Sequence, residues 1–198
     1  IINLPTSFNL KPLLMTPLDA LLETLYHPAL KEIDPGLDRV QRFLEALGSP
    51  HRRLPPVIHV AGTNGKGSVV TYLSNILDRA GYKVGTYTSP HLVHFNERIR
   101  LNGIPVEDDR IVAAFDRVEE ARAATGETLT YFEFTTLAAI EVFLAADVDV
   151  LVLEVGLGGR LDAVNLYDPD VAVITGVALD HQDYLGDTRD LIALEKIG

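Results

Sequence analysis

A glycine-rich segment at residues 62–68 lies between an apolar run and the start of a helical pattern. Its three glycines allow backbone N–H groups to surround phosphate oxygens, and the dipole of the following helix favours an anion. Lys66 adds a positive charge at the same place. The general P-loop pattern has glycine at the position of Val60, so this segment matches a shorter variant. It predicts nucleotide binding, and the alternative is a structural glycine turn.

Polar side chains also follow the next three apolar runs along the chain. They are Ser89 within residues 88–91, Glu154 before residues 156–162, and Asp180 with His181. Because ligands in open α/β sheets gather at the carboxyl ends of the strands, we expect these groups to converge on the glycine-rich segment. Ser89 and Glu154 offer the oxygen ligands that Mg²⁺ prefers, and His181 offers a nitrogen to a second ion. Taken singly, each has a simpler interpretation: an exposed serine, a Glu154–Arg160 ion pair and a solvated histidine.

The elements that must position these groups follow from hydrophobic periodicity, which predicts an α/β fold with a mostly parallel sheet and flanking helices. Predicted strands at residues 57–61 and 82–88 are joined by a helix of crossover length, so they should be parallel. Residues 96–106 predict a hairpin around Asn102-Gly103. Continuous apolar runs at 148–155 and 171–175 predict strands buried on both faces. The other predicted helices cover residues 17–25, 37–47, 107–124 and 132–146.

Composition excludes several classes of function. The 198 residues carry 28 acidic and 17 basic side chains, a formal charge of −11 that disfavours nucleic acid as a partner. The chain has no cysteine, which excludes disulfides, thiolate metal sites and cysteine nucleophiles. No apolar run is long enough to span a membrane, and no secretory leader pattern is present, so we expect a cytoplasmic location. The only methionine is Met15, and we expect residues 1–14 to be an added or disordered N-terminal segment.

These motifs resemble the N-terminal ATPase domain of the folylpolyglutamate synthase and dihydrofolate synthase family, a branch of the Mur ligase superfamily. The matching segments are residues 62–68, 87–92, 95–98, 129–133, 153–162 and 179–181. The resemblance implies a P-loop NTPase-like Mur ligase central domain, of which residues 15–198 form the N-terminal part. The rest of the ATPase domain and a C-terminal glutamate-binding domain would then lie outside this chain.

The resemblance also implies an activity. Family members are ATP-dependent ligases that phosphorylate a carboxyl group on a pterin or folate and then let the amine of L-glutamate displace the phosphate. The expected ligands are ATP, two Mg²⁺ ions, L-glutamate, and 7,8-dihydropteroate or a reduced folate as acceptor. We expect a monomer.

Site residues carried over from the family begin with the phosphate loop, where the expected nucleotide-binding residues are Thr63, Asn64, Gly65, Lys66, Gly67 and Ser68. Ser89 and Glu154 would bind one Mg²⁺ and His181 the second. Lys196 falls where family members carry a carbamylated lysine, which would make it a further metal ligand. Its alternative interpretation is a helix-end lysine that interacts with the C-terminal dipole. Lys66, Glu154, His181 and Lys196 are thus the expected catalytic group.

For the pterin, the resemblance implies three segments: Asp34, Pro35 and Gly36; Tyr131, Phe132 and Glu133; and Leu161, Asp162 and Ala163. A planar pterin needs an aromatic face and a carboxylate that accepts from its amino and ring N–H groups, which Phe132, Glu133 and Asp162 offer. Alternatively, Tyr131 and Phe132 begin a core helix, and Glu133 favours the positive end of its dipole.

Four interpretations of function remain open from the sequence. The preferred one is a bifunctional dihydrofolate synthase/folylpolyglutamate synthase, and the next is a folylpolyglutamate synthase without dihydropteroate activity. A cell-wall Mur ligase is more distant, because the Thr-Ser-Pro-His and Tyr-Phe-Glu segments argue against it. A nucleotide-binding module without ligase activity is the fourth. Glutamate-dependent ADP release would exclude that last interpretation.

Overall fold

The computed structural model describes residues 16–25, 37–126 and 128–198. Its centre is a six-stranded sheet in the order β4-β3-β2-β5-β1-β6. The strands are β1 Val57–Ala61, β2 Val84–Tyr87, β3 Ile99–Leu101, β4 Ile104–Pro105, β5 Val150–Glu154 and β6 Val171–Ile174. The four strands β2, β5, β1 and β6 are mutually parallel, and the β3–β4 hairpin extends the sheet antiparallel to β2. The predicted α/β class with a mostly parallel sheet is therefore confirmed.

Helices cover both faces of the sheet. They are α1 Pro17–Leu25, α2 Asp38–Ala46, α3 Lys66–Arg79, α4 Asp108–Thr125, α5 Tyr131–Ala146, α6 Gln182–Leu185 and α7 Arg189–Ile197. Alternate residues of β5 face opposite sides, as a strand requires. Leu151 and Leu153 enter the larger core with α1, α2, α4 and α5, whereas Val150 and Val152 pack with α3. The carboxyl ends of β1, β2 and β5 consequently open at one edge, between helices on both sides.

The helix α3 connects two strands, β1 and β2, that are not neighbours in the sheet. β1 and β2 are parallel, as predicted, but β5 lies between them and pairs with both. The predicted hairpin is also present: Asn102 and Gly103 have φ of +49° and +75°, the left-handed pair that closes a two-residue turn between β3 and β4. Residues 96–98, predicted to be the first part of the hairpin, lie instead in the 3₁₀ turn Phe95–Arg98.

The prediction that residues 171–175 form a strand buried on both faces is wrong. The strand is present as β6, but Val171 is 50% exposed and Ile174 is 39% exposed. β6 is the outer strand of the sheet, and the covering helices pack mainly over the strands further in. An apolar run shows that a strand is suited to burial but not that other elements cover it.

Two sequence predictions lie outside the described residues. These are the N-terminal segment 1–14 and the pterin-site segment Asp34-Pro35-Gly36. Within residues 16–25, 37–126 and 128–198, no helix is both long and apolar enough to cross a bilayer.

Candidate active site

The glycine-rich segment forms a loop between β1 and α3. β1 ends at Ala61 and α3 begins at Lys66, so the lysine stands in the first turn of the helix. Gly62 has a φ of +143°, and a Cβ built on it would lie 1.8 Å from the Thr175 Oγ1 atom. No other residue type fits this conformation and this close approach together. The loop therefore has the strand–loop–helix geometry that favours phosphate binding.

The Lys66 ammonium lies folded over its own loop. Its Nζ donates to the carbonyl oxygens of Gly62, at 2.9 Å, and Thr63, at 3.3 Å. Its positive charge opposes the upward shift that burial causes in the pKa values of Glu154 and Asp162. These two carboxyl groups therefore lie within electrostatic range of Lys66. The predicted convergence of the phosphate loop with the end of β5 is thus present in the structure.

Glu154 and Ser89 lie together at the ends of β5 and β2. The Ser89 N–H donates to Glu154 Oε2 at 3.4 Å, and a Cβ on Gly67 would be 3.9 Å from the same oxygen. The Glu154 side chain is buried, and burial raises its pKa against the opposing effects of the Ser89 N–H and the Lys66 charge. A buried carboxylate beside a serine and the first turn of a phosphate-loop helix is well placed to meet a cation.

Asp162 organises the loop that follows β5. Its Oδ2 accepts from Leu157 N at 2.8 Å, and its Oδ1 accepts from Val164 N at 3.0 Å, at the start of a 3₁₀ turn. Burial raises the Asp162 pKa to about 6, against the lowering effect of these N–H groups and of Lys66. Ala163 beside it is buried, and Leu161 is 37% exposed.

The raised pKa of Asp162 predicts a pH dependence of stability. The folded state holds the proton more tightly than the unfolded chain, whose aspartate titrates near 3.8, so the contribution of Asp162 falls as pH rises from about 4 to above 6. Wild-type protein should lose about 2 kcal/mol relative to Asp162→Asn over this range. Urea unfolding of both proteins at pH 4 and pH 7 measures the difference.

The comparison with a variant is necessary because His59 works in the opposite direction. This histidine is buried in β1, and burial lowers its pKa to about 4, so its contribution to stability rises over the same pH range. Both proteins contain His59, so its effect cancels in the difference. Asp187→Asn, a change at an exposed aspartate, is the control. A stability difference between wild type and Asp162→Asn that stays constant with pH would contradict the prediction.

The aromatic segment begins α5. Thr130 caps the helix, since its Oγ1 accepts from Glu133 N at 3.2 Å while Glu133 Oε2 accepts from Thr130 N at 2.6 Å. Phe132 lies over the backbone that follows β5: a Cβ on Gly156 would be 2.5 Å from the phenylalanine ring. Glu133 thus has the helix-capping role that was the alternative interpretation. Contact of Phe132 or Glu133 with a pterin stays a prediction.

Arg98 connects this aromatic segment to the loop that carries Ser89. Its guanidinium is buried, lies 5.7 Å from the Phe95 ring centroid and 5.6 Å from that of Tyr131, and donates from Nε to His91 Nδ1 at 2.9 Å. Glu97 accepts backbone N–H bonds from the same loop, which lower its pKa to about 2. Arg98 belongs to segment 95–98 but was not predicted as a site residue, because Tyr131, one of its two aromatic partners, is far away in the sequence and meets it only in the fold.

His181 and Lys196 come from the last two helices. His181 precedes α6 with a φ of +47°, and its exposed ring lies 3.7 Å from the Asp180 carboxylate. Lys196 is buried near the end of α7, and its pKa is lowered first by burial and then by Lys66, while Asp180 and Asp162 raise it. Lys196 is therefore a buried lysine whose charge is affected by Lys66 and Asp162, and not an exposed helix-end lysine.

The way α7 is held explains this burial. Arg160 lies in the loop after β5. Its backbone N–H donates to the Glu195 carbonyl oxygen at 2.8 Å, and its guanidinium donates to the Glu195 carboxylate at 2.9 Å. The simple interpretation of Glu154 as the partner of Arg160 is thus wrong, because Glu195 takes that position. The ion pair ties the end of α7 to the loop organised by Asp162.

The donor set is compatible with a hard divalent cation. Over residues 16–25, 37–126 and 128–198, no cluster of three or more His, Asp or Glu side chains is arranged to hold a metal. Mg²⁺, however, is usually held by one or two carboxylates together with phosphate oxygens and retained waters. One buried glutamate beside a phosphate loop fits that pattern.

Comparison with known proteins agrees with this geometry. The family model described as the Mur ligase middle domain matches residues 60–197. The dihydrofolate synthase/folylpolyglutamate synthase of Haemophilus influenzae is 48% identical over 183 residues, which are 92% of this chain and 41% of that protein. The structure of Escherichia coli FolC in complex with DHPP and ADP has a TM-score of 0.86 at 49% identity and covers 91% of this chain and 43% of its own.

A second solved structure of similar fold contains a different set of ligands. It is a bifunctional folylpolyglutamate synthase/dihydrofolate synthase with Mn, AMPPNP and L-glutamate bound, with a TM-score of 0.83 at 46% identity, covering 91% of this chain and 43% of that one. The resemblance indicated by the motifs is thereby confirmed. The chain spans less than half the length of each of these relatives.

Proposed function

The chain belongs to the Mur ligase family through its middle domain, and on that premise we propose that it forms part of an ATP-dependent ligase that joins L-glutamate to 7,8-dihydropteroate and to reduced folates. One observation carries the proposal: the phosphate loop that bears Lys66 meets the buried Glu154 carboxylate at the ends of parallel strands, where a Cβ on Gly67 would be 3.9 Å from Glu154 Oε2. Residues 15–198 would be the N-terminal part of the ATP-binding ligase domain.

The reaction needs two steps. A carboxylate oxygen of the acceptor attacks the γ-phosphorus of ATP, which forms an acyl phosphate and releases ADP. The amine of L-glutamate then attacks the acyl carbon, an amide bond forms, and inorganic phosphate and a proton leave. Both reactants in the first step are anions, so positive charge at the phosphate loop is the main requirement.

The chain's own residues meet this requirement in distinct ways. Residues Thr63, Asn64, Gly65, Gly67 and Ser68 would bind phosphate oxygens through the loop and the start of α3. Lys66 would exchange its loop carbonyl contacts for phosphate oxygens. Ser89 and Glu154 would hold one Mg²⁺, and His181 and Lys196 a second. A bound Mg²⁺ supplies charge neutralisation on the transferred phosphate.

Lys196 would serve this site as a carbamate. Formation of a carbamate requires the neutral amine to attack CO₂, and both burial and the neighbouring Lys66 charge lower the Lys196 pKa in that direction. ¹³C NMR of protein equilibrated with ¹³C-bicarbonate would detect the modification, and Lys196→Arg, which cannot carry it, is the comparison.

The acceptor would bind where the β5 loop meets the start of α5. Phe132 offers a ring above Gly156, and Asp162 offers a carboxyl group whose oxygens already order the loop. Tyr131, Glu133, Leu161 and Ala163 would complete this surface, with Asp34, Pro35 and Gly36 from the segment outside the described residues. We also propose a cytoplasmic location and a monomeric state.

Acceptor-dependent ADP release tests the function. The protein containing this chain is incubated with ATP, Mg²⁺ and L-glutamate, together with either 7,8-dihydropteroate or tetrahydrofolate. We expect both acceptors to stimulate ADP release and to gain one glutamate by mass spectrometry. Stimulation by tetrahydrofolate alone would indicate a folylpolyglutamate synthase only. ADP binding without any acceptor-dependent turnover would indicate a nucleotide-binding module and would contradict the proposal.

A further inference from the structure

The segment after β6, residues 175–178, runs beside the phosphate loop and is bonded to it. The Thr63 N–H donates to the Gly176 carbonyl at 2.8 Å. The Thr63 hydroxyl accepts from Ala178 N at 3.1 Å and donates to the Ala178 carbonyl at 3.2 Å. Asn64 and Gly176 form an antiparallel bridge. The loop is therefore held from outside by a chain segment more than a hundred residues away in sequence.

Thr175 occupies the tightest point of this contact. Its Oγ1 lies 2.8 Å from the Asn64 carbonyl oxygen and 3.2 Å from that of Ala61, and its N–H donates to Ala61 at 2.9 Å. The same oxygen fills the space that a Cβ on Gly62 would need. The Thr175 hydroxyl thus packs against Gly62 and lies within hydrogen-bond distance of carbonyl oxygens on both sides of it, those of Ala61 and Asn64.

Peptide geometry gives this contact a directional effect. In a trans peptide the C=O of one residue and the N–H of the next point to opposite sides of the same plane. The hydroxyl that binds the Asn64 carbonyl therefore turns the Gly65 N–H away from Thr175. Backbone N–H groups that are already oriented bind an anion without a further ordering cost.

We propose that Thr175 is a positioning residue for the nucleotide: its hydroxyl sets the direction of the Asn64–Gly65 peptide and so prepares the phosphate loop for binding. This inference rests on the proposed function, because it requires residues 62–68 to bind a nucleotide. Thr175 itself need not touch the ligand. A lost hydroxyl should therefore weaken nucleotide binding more than it slows the subsequent chemistry.

Thr175→Val and Thr175→Ser separate the hydroxyl from the side-chain volume. We expect the Kd for ADP, measured by calorimetry, to rise about tenfold in Thr175→Val and to stay within about twofold of wild type in Thr175→Ser. The KM for ATP should follow the Kd, with a much smaller change in kcat. Thr71→Val is the matched control, because its hydroxyl donates to Gly67 O within α3 and joins no second segment.

The outcomes separate the inference from the function. Equal ADP affinity in wild type and Thr175→Val would overturn the inference alone, and so would a loss in Thr175→Ser as large as that in Thr175→Val. No ADP binding by the wild-type protein would overturn the proposed function and the inference with it. If the valine variant does not fold, as judged by thermal unfolding, Thr175→Ala replaces it with the same expectations.

Discussion

Replacing Lys66 by alanine is expected to reduce acceptor-dependent ATP turnover by about a thousandfold or more while the protein stays folded. The acceptor carboxylate and the γ-phosphate repel each other as they approach, and Lys66 is the cation of the phosphate loop. Among the described residues, the hydrogen bonds of its ammonium go to the Gly62 and Thr63 carbonyls of its own loop, so its removal breaks no hydrogen bond between elements there. ADP release at saturating ATP measures the loss, and thermal unfolding checks the fold.

Lys83→Ala is the matched control for this prediction. The Lys83 ammonium also donates to a backbone carbonyl, that of Ala146 at the end of α5. It precedes β2, however, and so lies at the opposite edge of the sheet from the phosphate loop. We expect nearly full turnover in Lys83→Ala. A Lys66→Ala protein that retains most of its activity would remove Lys66 from the mechanism.

The parts of the fold that could be predicted from the sequence are those governed by local patterns. The strand–loop–helix unit around residues 62–68 and the turn at Asn102-Gly103 each follow from residues close together in the chain. The insertion of β5 between β1 and β2 could not be predicted in the same way. Several apolar runs are equally suited to pairing, and tertiary packing decides which become neighbours. The exposure of β6 has the same origin.

The site residues likewise include some that a local pattern predicts and some that only tertiary packing brings together. Ser89, Glu154 and Lys66 were predicted to meet because parallel strands place their carboxyl ends at one edge, a rule that needs no knowledge of contacts. Thr175 was not identified as a site residue because its partner, Asn64, is 111 positions away. Whether Lys196 is a site residue or only a helix-end lysine could not be decided from the sequence, because a lysine near the end of a helical pattern is expected in both cases. Only the packing of α7 on the β5 loop distinguishes them.

Replacing Glu154 by glutamine is the second change with a large expected effect, because it removes a charge without changing the shape of the side chain. We expect turnover to fall about a thousandfold, since Glu154 is the buried carboxylate beside Ser89 and the start of α3. The variant also has a readout that does not depend on turnover. In the presence of ADP, Mn²⁺ should raise the Tm of wild-type protein, as any ligand that binds only the folded state does, and should raise that of Glu154→Gln much less.

Glu141→Gln tests whether this result reflects the site or merely the loss of a buried charge. Glu141 is also buried, burial likewise raises its pKa, and its carboxylate pairs with Arg117 on α4, away from the phosphate loop. Glu141→Gln should alter the Tm in the absence of metal but keep the full Mn²⁺-dependent increase. An equal Mn²⁺-dependent increase in wild type and Glu154→Gln would show that the cation is held elsewhere. A loss confined to Glu154→Gln would instead assign the cation to the junction of β2, β5 and α3, where the phosphate loop also lies.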